Sequence, residues 1–354
     1  MKQNFYIGSY SKQGGYFPAR TKEGLSLYTL NTETGELIKT LGFKDVVNAT
    51  YLAKFGKDIL LVASDEYFDP GNVISYVIQK DGSLVALSSE STQGAATCHI
   101  SCSEVINQVF VASYIDGRVS VHDIRDGKLS PTEHLYQYSG QGPNKERQEQ
   151  SHTHCAEISP DGKWLYVCDL GSDKIWLHDT NNLTGKFTDV IGITVPAGYG
   201  PRHLVFGKDN SKIYVICELN AHVLTYCQNL DTGILTLTND QPTLPEDYHD
   251  VPSASAIRMH PSNKTLYISN RTHNSISVFS INSSNGILTF ETRFQTNGKE
   301  PRDFNFDPSG KWLVCAHQDS DTIVSFEIAE ETGLPTTGEV KSTIECGTPV
   351  SVIF

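Results

Sequence analysis

Residues 200–237, GPRHLVFGKDNSKIYVICELNAHVLTYCQNLDTGILTL, read as four short strands. PRHLVF and KIYVIC flank a Lys-Asp-Asn-Ser turn, HVLTYC follows a break at residues 218–221, and ILTL follows a turn at residues 229–233. Each run is rich in β-branched and aromatic side chains and bounded by Asn, Asp or Gly, a pattern that fits strands and not helices. One such antiparallel sheet has two open edges and no cover for its faces, so it cannot stand alone. It needs copies, and the chain supplies them.

Residues 164–179 (WLYVCDLGSDKIWLHD), 212–226 (KIYVICELNAHVLTY), 265–279 (TLYISNRTHNSISVF) and 312–326 (WLVCAHQDSDTIVSF) superpose without gaps, and residues 108–124 (QVFVASYIDGRVSVHDI) join them. Residues 59–78 and the N-terminal FYIGSYSKQ complete the set with looser spacing. The residues that close the second strand are then Tyr10, Asp65, Tyr114, Leu170, Glu218, Arg271 and Gln318. Seven four-stranded units repeating at about 50 residues predict an all-β, seven-bladed β-propeller, antiparallel within each blade and forming a single domain over residues 1–354. The chain opens on what is elsewhere a second strand, while its last residues, TPVSVIF at 348–354, match the first strand PRHLVF. One blade is therefore expected to contain both ends of the chain and so close the ring, and deletion of those last seven residues to destabilise it.

The predicted loops fall into two populations. Connections between first and second strands (PDGK, KDNSK, PSNK, PSGK) and between third and fourth (ETGE, KDGS, RDGK, LTGK, DTGI, SNGI, ETGL) are tight turns. The long connections, residues 11–23, 65–72, 139–153 and 239–253, lie at the opposite end, which is the face expected to carry function. In an antiparallel pair the start of the inner strand and the end of the second strand share one edge. The inner-strand set there includes His154, Arg202, Ser255 and Arg302; the other includes Tyr10, Asp65, Tyr114, Glu218, Arg271 and Gln318.

With 28 Lys and Arg against 41 Asp and Glu, the chain carries a net charge of −13, which argues against nucleic acid or an anionic membrane as partner. Arginines gathered at one mouth locally offset that charge, and their planar forks suit carboxylate or phosphate, so the expected partner is a small anionic substrate. The N-terminus enters a strand at once and no apolar run approaches the ~20 residues of a membrane span, so a soluble, cytoplasmic protein is expected. The eight cysteines form no CxxC pair and read as reduced core thiols. Whether the chain is a monomer or a dimer stays open.

Structural readings compete for several of these residues. Arg302 can pair with Asp303 or Asp307, Arg271 can bridge Glu218, and Asp65 and Tyr114 can serve as plain polar lining. His152 and His154 form an H-x-H, a spacing that binds metals, yet no companion ligands are evident, so neither metal nor cofactor is expected. A scaffold propeller is the non-catalytic alternative. All three tryptophans (164, 176, 312) precede leucine, which gives none of the Trp-Asp dipeptides of WD repeats.

The stretches SHTHCAEISPDGKWLYVCDL, GPRHLVFGKDNSKIYVICELN, LYISNRTHNSISVFSI and EPRDFNFDPSGKWLVCAHQ resemble the seven-bladed lactonase family, and the similarity spans essentially the whole chain. That family contains bacterial propeller-type 6-phosphogluconolactonases and fungal 3-carboxy-cis,cis-muconate lactonising enzymes. The resemblance implies His154, Arg202, Glu218 and Arg271 as the catalytic set; Arg302, Gln318, Tyr10, Asp65 and Tyr114, at the same edge by their phase in the repeat, are the substrate-binding candidates. Ala256 departs from relatives that carry an acidic residue there. Lactone hydrolysis needs a base, for which Glu218 and His154 both qualify, and an oxyanion stabiliser, for which Arg202 and Arg271 qualify. Cyclisation of a muconate would use the same groups.

Overall fold

Every second strand of the gapless repeats begins where the repeat does, at Gln108, Trp164, Lys212, Thr265 and Trp312. The computed structural model describes residues 1–14, 18–65, 67, 69–185 and 190–354, so parts of the long connections at 11–23 and 65–72 and the end of the LTGK turn lie outside the described residues. Six sheets have four antiparallel strands. The third sheet has five, because Arg118–Arg125 pairs with Lys128–Leu129 and, past Ser130 and Pro131, with His134–Gln137. Pro131 has no N–H to give a ladder, so the expected single outer strand is broken there. Seven such blades make the fold a seven-bladed β-propeller. No helix of the described residues is long and apolar enough to cross a membrane.

Contacts divide the chain into two compact units. The first holds residues 1–46, 205–227 and 236–354, and the second residues 47–204 and 228–235. In the first unit, Lys2–Ser9 pairs with Leu25–Asn31 on one side and with Pro349–Ile353 on the other, as the matching ends required. Phe5, Ile7, Tyr28 and Val352 of this sheet bury themselves with Trp312 and Val314 of the next. In the second unit, Leu61, Ala63 and Val73 pack in the same way against Ile100, Val109 and Val111. All eight cysteines are free thiols.

Neighbouring blades are also joined by a repeated polar contact. The third residue of the second strand donates its phenol to the carbonyl of a turn glycine in the following blade: Tyr166 to Gly233 at 2.5 Å, Tyr214 to Gly286 at 2.9 Å, Tyr267 to Gly333 at 2.6 Å. The turn must then press against its neighbour. A Cβ on Gly35 would lie 2.2 Å from the Trp312 ring and one on Gly233 2.7 Å from that of Trp164, and both glycines have positive φ, 77° and 71°. Glycine alone meets both demands.

One device re-aims the inner strands. Their pairing with the second strand slips at their second residue, so that Thr50, Cys98, His154, Arg302 and Val350 each sit in a bulge, and an extra residue is likewise inserted after Ala254. A bulge bends the strand and changes which side chains face which way beyond it.

Candidate active site

All seven residues assigned to the end of the second strand lie directly after that strand: Tyr10, Asp65, Tyr114, Leu170, Glu218, Arg271 and Gln318. The backbone fixes them by a recurring bond to the residue before the innermost strand, as in Asp65 N–H to the Asn48 carbonyl, Tyr114 to Ala96, Arg271 to Ser253 and Gln318 to Glu300. The side chains then form two groups, one within each unit.

In the first unit Glu218 is buried and receives Nη2 of Arg271 at 2.9 Å. The same Arg271 places Nη1 3.6 Å from Glu300, and its Nη2 also approaches the Ala254 carbonyl at 3.4 Å. Its Nε is buried and has no hydrogen-bond partner among the described residues. Glu300 holds its place by a left-handed backbone, φ 61°, with its N–H donated to Asn274 Oδ1 at 2.9 Å and its carbonyl receiving the Gln318 N–H at 3.0 Å. A glutamate at positive φ is uncommon and strained, so the surroundings must over-determine it.

Arg302 lies beside this pair through Ser255, whose hydroxyl donates to the Arg302 carbonyl at 2.6 Å. Its Nη1 donates to Gln318 Oε1 at 3.1 Å and its Nη2 to the Tyr10 hydroxyl at 3.4 Å, with the guanidinium 5.8 Å from the Tyr10 ring centre. Asp303 takes Arg258 at 2.9 Å and the Val352 N–H, and Asp307 caps the turn before Trp312. Beneath Gln318, His317 is fully buried under Gly298, and burial lowers its imidazole to about 4.

In the second unit the groups are rings. Tyr114 stacks on His152 with centroids 4.4 Å apart and meets His154 edge-on at 5.5 Å; His154 in turn meets His203 edge-on at 5.2 Å. Arg202 is buried, with Nη1 3.3 and 3.4 Å from the two ring nitrogens of His203. Arg147, from the long connection, donates to the Tyr114 hydroxyl at 3.4 Å. The H-x-H pair does not share a strand face, because Thr153–Ile158 begins after His152, whose Nε2 is turned to Glu149 at 3.0 Å. Asp169 anchors this segment, accepting the His152 N–H at 2.8 Å, the Ser151 hydroxyl and Trp176 Nε1. Asp65 accepts the Tyr67 N–H at 2.8 Å, an Asx turn that orients its own loop.

The first unit therefore brings together Glu218, Arg271, Arg302, Gln318 and Tyr10, and the second Tyr114, His154 and Arg202. The sequence reading missed Glu300, His203 and Arg147. Glu300 carries a signal only in hindsight, as the residue before the Pro-Arg that starts an inner strand. His203 was hidden because strict alternation turns a residue next to Arg202 to the opposite face.

A family model described as lactonase, 7-bladed beta-propeller matches residues 4–354. A 6-phosphogluconolactonase of Bacillus subtilis is 32% identical over 351 residues, which cover 99% of this chain and 97% of that protein. A protein of the same name from Formosa agariphila is 30% identical over 331 residues, covering 90% of this chain and 92% of its own. Among solved structures, the periplasmic gluconolactonase of Pseudomonas aeruginosa superposes with a TM-score of 0.90 at 25% identity, covering 100% of this chain and 99% of its own.

Proposed function

Since the chain belongs to the family of seven-bladed β-propeller lactonases, we propose that it hydrolyses a sugar lactone, with 6-phosphoglucono-1,5-lactone as the substrate and 6-phosphogluconate as the product. The names borne by its relatives favour this substrate. The observation that carries the mechanism is the buried Glu218–Arg271 pair. Glu218 takes a proton from water as its oxygen attacks the lactone carbonyl carbon. Arg271 donates from its guanidinium to the oxygen that becomes negative, a kind of contact worth about 3–4 kcal/mol in hydrolases. The bond from that carbon to the ring oxygen then breaks, the ring oxygen takes the proton from Glu218, and the carboxylic acid so formed gives its remaining proton to solvent to become the carboxylate.

Arg302, bonded to Gln318 and Tyr10, supplies a fork for the anionic end of the substrate. Arg202 and His154 are proposed as further catalytic groups, and Tyr114 and Asp65 as substrate-binding residues, each testable by its own substitution. The protein is proposed to work in the cytoplasm, where a phosphorylated sugar lactone arises. The test is turnover by the purified protein, above the spontaneous rate, of the phosphorylated lactone, the unphosphorylated gluconolactone and carboxymuconates. Preference for the phosphorylated lactone is expected. Equal rates with the unphosphorylated one remove the phosphate from the proposal, and turnover of muconates alone overturns hydrolysis.

A further inference from the structure

The bulges at Cys98 and His154 bring the third residues of two inner strands, His99 and Cys155, onto a common layer, and Glu157 follows two residues later on the same face. Cys155 Sγ lies 3.5 Å from His99 Nε2, and Glu157 Oε2 lies 3.6 Å from the same nitrogen. All three donor atoms fall within 4.8 Å of one another. Zinc bonds of roughly 2.0–2.1 Å to nitrogen, 2.3 Å to sulfur and 2.0–2.2 Å to oxygen, set tetrahedrally, separate ligand atoms by about 3.4–3.6 Å. The two measured edges already have that length.

We infer that His99, Cys155 and Glu157 bind a thiophilic divalent cation of the zinc type, with three protein ligands and a fourth position open to water. Charge supports this, since a thiolate and a carboxylate neutralise a dication in a place where His99 and Cys155 are both buried. Access exists through Glu157, whose side chain is 30% exposed. Neither Glu218 nor Arg271 takes part in this site.

Binding moves two protons. The Cys155 thiol, held neutral by burial, gives its proton to solvent as sulfur bonds the cation. His99 accepts the Ala156 N–H at Nδ1 over 3.4 Å, so its ring proton sits on Nε2 and must pass to Nδ1 when Nε2 becomes a ligand. That weak bond is given up, and the metal bonds must outweigh it. Because one proton leaves per cation, apparent affinity rises about tenfold per pH unit below the thiol's own titration.

Cobalt(II) titration of the whole protein tests this without any substitution. One equivalent should produce a thiolate-to-cobalt charge-transfer band with the strong visible bands of tetrahedral cobalt, and zinc should abolish both. Cys155→Ala should lose the charge-transfer band, and Glu157→Gln, at the exposed end where folding is not at risk, should weaken binding at least about tenfold. A spectrum showing only octahedral cobalt overturns the site. So does a band that survives in Cys155→Ala, which would place the cation on another of the eight cysteines. Unchanged affinity in Glu157→Gln removes the third ligand and with it the site as stated.

Discussion

Glu218, Arg271 and Glu300 hold one another by charge, over 2.9 and 3.6 Å, whereas Tyr114, His152, His154 and His203 hold one another by ring faces and edges with centroids 4.4–5.5 Å apart. Both groups grow from the same positions of the repeat, the end of a second strand and the start of an inner one. Their energetics differ because a buried charge deprived of its partner keeps its full desolvation cost, while a ring deprived of its partner loses only contact area and a modest stacking preference. Charge at one group and packing at the other should therefore respond differently to the same kind of substitution.

The largest contrast is expected at Arg271. Arg271→Ala removes the 2.9 Å ion pair of the buried Glu218 and should cost about 3–5 kcal/mol in urea unfolding, with activity lost. Adding Glu218→Gln should restore much of that stability; strict additivity of the two substitutions would mean the pair is not coupled.

Acid should act on both units alike and so serves as the control. His317, below Gln318, and His178, bonded to the Tyr138 hydroxyl at 2.7 Å, are both buried and titrate near about 4 in the folded chain. The unfolded chain takes up these protons first, near the ordinary value of about 6.5, so their stabilising contribution is complete above that pH and is lost as pH falls towards 4. Each should account for about 3 kcal/mol over that window. His317→Asn and His178→Asn should each flatten the pH dependence of stability; a slope unchanged in both would mean the imidazoles are charged in the fold.

Next comes the proton transfer. Glu218→Gln keeps shape and hydrogen-bonding reach, so kcat should fall about 10²-fold with KM little changed. His154→Gln should act more weakly, by less than about tenfold. If the order reverses, the base belongs to the ring group and Glu218 serves Arg271. The smallest effect is expected at the stack: Tyr114→Leu should cost about 1 kcal/mol of stability. A loss as large as that of Arg271→Ala would erase the distinction between the groups.

Repeat arithmetic located every second-strand terminus, because 47 to 56 residues separate successive copies and the turn glycines keep them in phase. It could not show the bulges. An extra residue that recurs at the same place in several blades is invisible to a period, yet it decides that His99 and Cys155 share a layer with Tyr51. Glu300 was illegible for a different reason. It precedes Pro301, a context that favours extended backbone, and it reaches Arg271 from positive φ instead. The possible Arg271–Glu218 bridge was visible from equivalent positions in neighbouring blades, whereas Asp303 turned to Arg258 in a way no local pattern announced.

The sheet built from both ends of the chain carries a liability of its own. Tyr6 pairs with Ile353, so the first sheet depends on a strand that is remote in sequence and only five residues long, Pro349–Ile353. When that strand peels away, the backbone row of Lys2–Ser9 is left as an open edge on an apolar, strand-forming run that includes Phe5, Tyr6 and Ile7. A second copy can fill the vacancy with its own terminal strand, and two chains that exchange this piece reproduce every native contact in each other. Crowded expression, heating or a substitution that weakens the five-residue strand should thus convert single chains into strand-swapped dimers before the blades themselves unravel.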